Sequence, residues 1–88
     1  MGNQTGGAGF AQAMIWFRPE ASEAIERAGY DPRRRELHIV FDGGRRYAYL
    51  DVAPDLFEAL RTAESAGAFV NRRIKPNHRF RELEPARR

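Results

Sequence analysis

The sequence predicts an α+β fold: a small antiparallel β-meander of three to four strands packed by one or two C-terminal helices. Three observations carry this. Leu37, Ile39 and Phe41 alternate with period two and run into Asp42-Gly43-Gly44, a strong hairpin signal because glycine accepts the positive φ of tight reversals. Arg46-Tyr47-Ala48-Tyr49-Leu50 follows as the returning strand. After Pro54, the residues Leu56, Phe57, Leu60 and Ala63 fall at helical spacing, and proline is tolerated in a first helical turn because its missing N–H has no partner there anyway.

The remaining elements follow in chain order. Residues 1–13 read as an unstructured or tag-like tail, Gly-rich at the start and without a hydrophobic period. Met14-Ile15-Trp16-Phe17 is apolar, partly β-branched and stopped by Pro19, as in a short edge strand, and Trp16 is expected to cap one end of the core. Ala24 to Tyr30 reads as a strand, because Gly29 and Asp31-Pro32 end it too early for a stable helix. The turn 31–35 leads into the strand 36–41, and the strand after the hairpin extends over Arg46 to Val52. The first helix ends where Ser65 and Gly67 break it. A second is expected over Ala68 to Ile74, with Phe69, Val70 and Ile74 inward and Arg72 and Arg73 outward, until Pro76. The domain is expected to occupy 14–83, with a charged tail over 84–88.

The hairpin turn decides the fate of the tyrosines. A three-residue loop pairs Phe41 with Arg45 and puts Tyr47 and Tyr49 opposite Ile39 and Leu37, on the core face. A loop of two or four residues brings His38 to the tyrosine face and leaves the rings exposed. A type I turn closed by a left-handed Gly44 suits Asp42-Gly43-Gly44 better.

At 88 residues there is room for one modest core. The absence of cysteine excludes disulfides and thiolate metal sites, His38 and His78 cannot form a zinc site alone, no cofactor is implied, and a reducing cytoplasm is the expected compartment. No apolar run approaches the ~20 residues of a membrane-spanning helix, so no membrane association is expected. The net charge of +3 is unevenly spread: residues 1–66 carry net −2 and residues 67–88 net +5. That asymmetry suits an anionic partner.

Taken together, Ile25-x-x-Ala28-Gly29-Tyr30-Asp31, Leu37-x-Ile39-x-Phe41, Gly43, Tyr47-x-Tyr49, Val52-x-Pro54 and Ser65-x-Gly67-x-Phe69-x-Asn71-x-x-Ile74 resemble the KTSC domain, a small bacterial family named for the C-terminus of some lysyl-tRNA synthetases. The resemblance covers about residues 20–83. Alanine separates Val52 from Pro54, and Val70 and Phe80 stand where aromatics and a tyrosine are frequent in the family. The family's function is unestablished; its synthetase context implies RNA.

The expected function is a small non-catalytic module binding RNA or another nucleic acid. The candidate residues are Arg72, Arg73, Lys75, Arg79 and Arg81 for phosphate, Tyr47 and Tyr49 for stacking, and Asn71 for a base edge or, more in keeping with its type, a local backbone bond. The turn arginines Arg33, Arg34, Arg35, Arg45 and Arg46 are candidates to extend that surface. The alternative is a protein-interaction or adaptor domain docking through Met14 to Phe17 or a sheet edge. Catalysis is not expected, because no nucleophile, base and orienting group fall into a pattern: His38 shares a strand face with Glu36, His78 sits in a basic loop, and Ser22 and Ser65 read as turn or cap residues.

Overall fold

The computed structural model describes residues 14–20 and 24–85. The tail expectations for 1–13 and 86–88 lie outside the described residues. The described chain forms β1 (Ile15–Phe17), β2 (Ile25–Asp31), β3 (Glu36–Phe41), β4 (Arg46–Tyr49), α1 (Pro54–Arg61), α2 (Ala66–Phe69) continuing as a π-helical turn (Val70–Ile74), and β5 (Phe80–Leu83). The strands pair antiparallel in the order β1-β2-β3-β4-β5. The α+β meander is as expected, with one strand more. β5 was not legible because Phe80-Arg81-Glu82-Leu83 has no alternation of its own; pairing with β4 makes it a strand.

Register assigns each side chain to a face. Leu37 pairs with Tyr49 and Ile39 with Tyr47, and the Phe41 N–H donates to the Arg45 carbonyl at 2.8 Å. The three-residue loop therefore holds, and the tyrosines lie on the helix-covered face. The turn itself differs from the type I expectation. Gly44 N–H bonds the Phe41 carbonyl and both Gly43 and Gly44 have φ of +95°, so the third turn residue has the positive φ of a type II turn.

A bulge between Ile25 and Arg27 adds one residue to β2. Ile25 consequently faces the core with Ala28 and Tyr30 while Arg27 turns to the opposite face beside Val40.

The core lies between the sheet and the helices: Ile25, Tyr30, Leu37, Ile39, Val52, Phe57, Leu60, Val70 and Ile74 are all buried. The helix α1 supplies Phe57, whose ring stacks on Tyr30 (centroids 4.9 Å apart, 14° between planes) and meets Phe17 edge-on at 5.8 Å. Its N-terminus has no side-chain cap and relies on Pro54 and Asp55; at its C-terminus Thr62 Oγ1 donates to the Glu58 carbonyl. It stops at Arg61, so Ser65 does not break it. Ser65 instead caps α2, accepting the Ala68 N–H at 3.2 Å, and Gly67 lies inside that helix.

Val52 ties the layers together. Its N–H donates to the Arg35 carbonyl, and its own carbonyl accepts the buried Tyr30 hydroxyl at 2.6 Å. Arg35 and Asp51 adopt positive φ (57° and 56°) to make this meeting possible.

The opposite face of the sheet carries Trp16, Arg27, Gly29, His38, Val40, Ala48 and Arg81. Trp16 thus does not cap the core. It is 41% exposed, because β1 register places it on Gly29 and alternation turns Ile15 and Phe17 to the other side. The Arg27 guanidinium lies 5.0 Å from the indole centroid; its Nε is buried without a hydrogen-bond partner among the described residues.

Candidate functional site: an aromatic cleft beside the helices

The helices do not cover the whole front face. Phe41, Tyr47, Tyr49 and Phe80, from three adjacent strands, line a cleft of about 430 Å³ together with Arg45 of the hairpin and Lys75 at the end of the π-turn. The rings form one cluster: Phe41 meets Tyr47 edge-on at 5.6 Å, Tyr47 meets Phe80 at 5.4 Å, and Tyr49 lies 5.9 Å from Phe80. Phe80 is 58% exposed, a large apolar surface left open to water at an edge strand.

The polar groups of the cleft are unspent. Tyr30 has its hydroxyl bonded to Val52, but among the described residues neither the Tyr47 nor the Tyr49 hydroxyl has a hydrogen-bond partner, and neither oxygen is buried from water. Burial of the Tyr49 ring pushes its phenol above the ordinary value, and Tyr47 adds to the shift. Tyr49 therefore presents a neutral hydroxyl, able to donate and accept, throughout the physiological range. Lys75 sits 5.3 Å from the Phe41 centroid, and neither it nor Arg45 pairs with a carboxylate among the described residues.

The π-turn positions Lys75. Lys75 N–H bonds the Val70 carbonyl at 2.8 Å, five residues back, and Val70 and Ile74 are buried while Asn71, Arg72 and Arg73 are exposed. The expected regular helix over Ala68 to Ile74 is in fact this α-to-π junction, with the wider turn carrying Lys75 over Phe41.

The residues singled out from the sequence do not form one surface. Tyr47, Tyr49 and Lys75 come together in the cleft. Arg72 borders a shallow depression with Phe69, and the Arg73 guanidinium lies 5.2 Å from the Phe69 centroid. Arg79 is exposed, its carbonyl accepting the Leu50 N–H. Arg81 faces away from the cleft, since it pairs with Ala48 while Phe80 pairs with Tyr49. There it makes two hydrogen bonds to Glu36, at 3.0 and 3.2 Å. Asn71 makes no side-chain hydrogen bond among the described residues, contrary to the local role its type suggested; Asn77 does so instead, donating to the Arg73 carbonyl. Arg33, Arg34 and Arg35 close the β2–β3 turn, at the other end of β3 from Arg45. Phe41 and Arg45 gain their place in the site from the three-residue turn, the one sequence signal that pointed to them.

Glu36 and His38 do share a face, with Glu36 Oε1 3.1 Å from His38 Nε2. The Arg81 hydrogen bonds, aided by His38 and opposed by burial, hold the Glu36 carboxyl below the usual range. His78 Nδ1 lies 2.9 Å from the Leu50 carbonyl, and among the described residues no hydroxyl is bonded to either imidazole. No helix among the described residues is long and apolar enough to cross a membrane.

A five-stranded antiparallel meander with helices over part of one face and a cationic aromatic cleft beside them defines a small α+β domain with an open cleft for a ligand. The chain belongs to the KTSC domain family, whose model matches residues 21–80. It is similar to the crystal structure of a KTSC domain protein from Yersinia pestis, with a TM-score of 0.74 and 32% identity, covering 81% of this chain and 99% of that one. A protein of Tsukamurella paurometabola is 48% identical over 63 residues, 72% of this chain and 94% of that protein. A lysine–tRNA ligase of Nostoc punctiforme is 36% identical over 71 residues, 81% of this chain but 12% of the ligase.

Proposed function

We propose that this protein is a non-catalytic binding module for single-stranded RNA, which it engages through the aromatic cleft. The observation that carries the reading is the pairing of exposed Phe80 and half-buried Tyr47, backed by the buried Tyr49 ring, with two cations, Lys75 and Arg45, that have no carboxylate partner among the described residues. Unpaired bases stack on such rings at about 1–3 kcal/mol each, and duplex bases cannot reach them. Exposed Arg72, Arg73 and Arg79 add phosphate contacts along the chain leading to β5. Similarity to part of a lysine–tRNA ligase supports an RNA partner over other anions.

The test is binding of short single-stranded RNA and of bulk tRNA, followed by amide NMR across a salt series. Shifts at Tyr47, Tyr49, Lys75 and Phe80, with affinity falling as salt rises and lost in Phe80→Ala and Lys75→Ala, are expected. Absence of binding at low salt refutes the proposal. Binding that is equal for duplex and single strand would reduce it to a nonspecific charge effect.

A further inference from the structure

Building on that reading of the cleft, we propose that it is a complete seat for one nucleotide and so binds free nucleoside monophosphates, with the base at Phe80 and the phosphate at Lys75 and Arg45. The cleft is divided lengthwise by chemistry. The Tyr49–Phe80 pair lies at one end and the Phe41–Arg45 pair at the other, four residues apart along β4 or about 13 Å in an extended strand. At the first end the exposed Phe80 ring lies over the buried Tyr49; the second holds both cations, which pair with no carboxylate among the described residues. Between them stands Tyr47, whose hydroxyl has no hydrogen-bond partner among the described residues and can bond the hydroxyls of a sugar. Aromatic, polar and cationic zones in that order match base, ribose and phosphate in their covalent order. An aryl acid without the sugar leaves the middle zone unfilled.

The volume of about 430 Å³ lies at the small-ligand end of binding sites, so the cleft takes one such unit rather than a run of stacked bases. Orientation follows from the two cations, which both line the Phe41–Arg45 end. Glu82 faces the same side as Tyr47, with which it pairs midway along the cleft, but does not line it. Its negative charge weakens the hold on a phosphate without favouring either end.

The experiment titrates the isotope-labelled protein with AMP, adenosine, inorganic phosphate, phenyl phosphate and a short oligoadenylate. AMP is expected to shift the amides of Phe41, Tyr47, Tyr49, Lys75 and Phe80 and leave Trp16, on the opposite face, unmoved. Adenosine and inorganic phosphate should each bind about tenfold more weakly or less, since each forfeits one set of contacts. Lys75→Ala should weaken AMP and leave adenosine unchanged, whereas Glu82→Gln should tighten AMP and leave adenosine unchanged. Both side chains are exposed, so melting curves will show whether the variants keep the fold. Phenyl phosphate binding as well as AMP overturns the nucleotide assignment. Oligoadenylate shifting the cleft while AMP does not overturns the single-nucleotide seat and leaves the RNA reading standing. If neither ligand binds, both fall.

Discussion

Replacing Gly29 by alanine should destabilise the fold through Trp16, and should do the opposite once Trp16 is gone. A Cβ at Gly29 would stand 2.6 Å from Trp16 Cδ2, 2.7 Å from Cε3 and 2.8 Å from Cε2. Carbon contacts settle near 3.5–4.0 Å, so the indole must lift by about 1 Å. A rigid ring cannot absorb that by changing one terminal torsion. It can, however, tilt outward, since it is 41% exposed on a three-residue edge strand. The cost is therefore in the lower part of the overpacking range, about 1–2 kcal/mol, and includes the weakened Arg27 contact. For a domain of this size that lowers Tm by roughly 5–15 °C. Trp16 is the single tryptophan of the chain, so its emission should shift to the red and quench more readily as the ring leaves its seat. In a Trp16→Ala background the three closest contacts of the new methyl group are gone, and Gly29→Ala should stabilise by about 0.5–1 kcal/mol, because glycine loses the most backbone freedom on folding. Thermal unfolding of the four chains in this cycle measures the coupling. An equal effect of Gly29→Ala in both backgrounds would refute the argument.

Tyr30→Phe removes the buried hydrogen bond to Val52 and leaves that carbonyl without it, and should cost about 1–3 kcal/mol with no change in ligand binding; urea unfolding measures it, and a loss below about 0.5 kcal/mol would show that water or a shifted donor replaces the hydroxyl. Phe80→Ala should alter stability by no more than about 0.5 kcal/mol, since the ring is mostly exposed, while abolishing the cleft shifts; a large drop in Tm would mean that Phe80 holds β5 in place. Because the folded-state pKa of Glu36 is lowered, its contribution is present above the unfolded value of about 4.3 and lost as pH falls through the folded one. The Tm difference between the wild type and Glu36→Gln should accordingly be constant near neutrality and shrink in acid, and a difference that persists or grows at about pH 3 contradicts this assignment.

Much of the fold was legible because its signals are local. The alternation of Leu37, Ile39 and Phe41, the Asp42-Gly43-Gly44 turn and the apolar spacing after Pro54 each depend on neighbours within one turn or strand. The three-residue loop then placed Tyr47 and Tyr49 on the helix-covered face. Their environment was less legible. Tyr49 stays in the core while Tyr47, on the same face, is only half-buried beside Phe80, and that difference depends on how distant segments pack over the sheet.

Three features were decided by tertiary structure alone. β5 is a strand because β4 offers it hydrogen bonds, since its own four residues carry no period. Arg81 pairs with Glu36 across 45 positions of sequence, so a count of C-terminal arginines overstates the cations that share a surface. Trp16 rests on Gly29 rather than on the core because the β1–β2 register turns it to the other face. The sequence by itself determined the first four strands, the presence of the helices after Pro54, and the apolar face of most of them, through steric and hydrophobic preferences that act over a few residues. Which of those faces remain open, and which charges are already paired, was left to packing between distant segments, because burial and ion pairing depend on distances in space that no local pattern encodes.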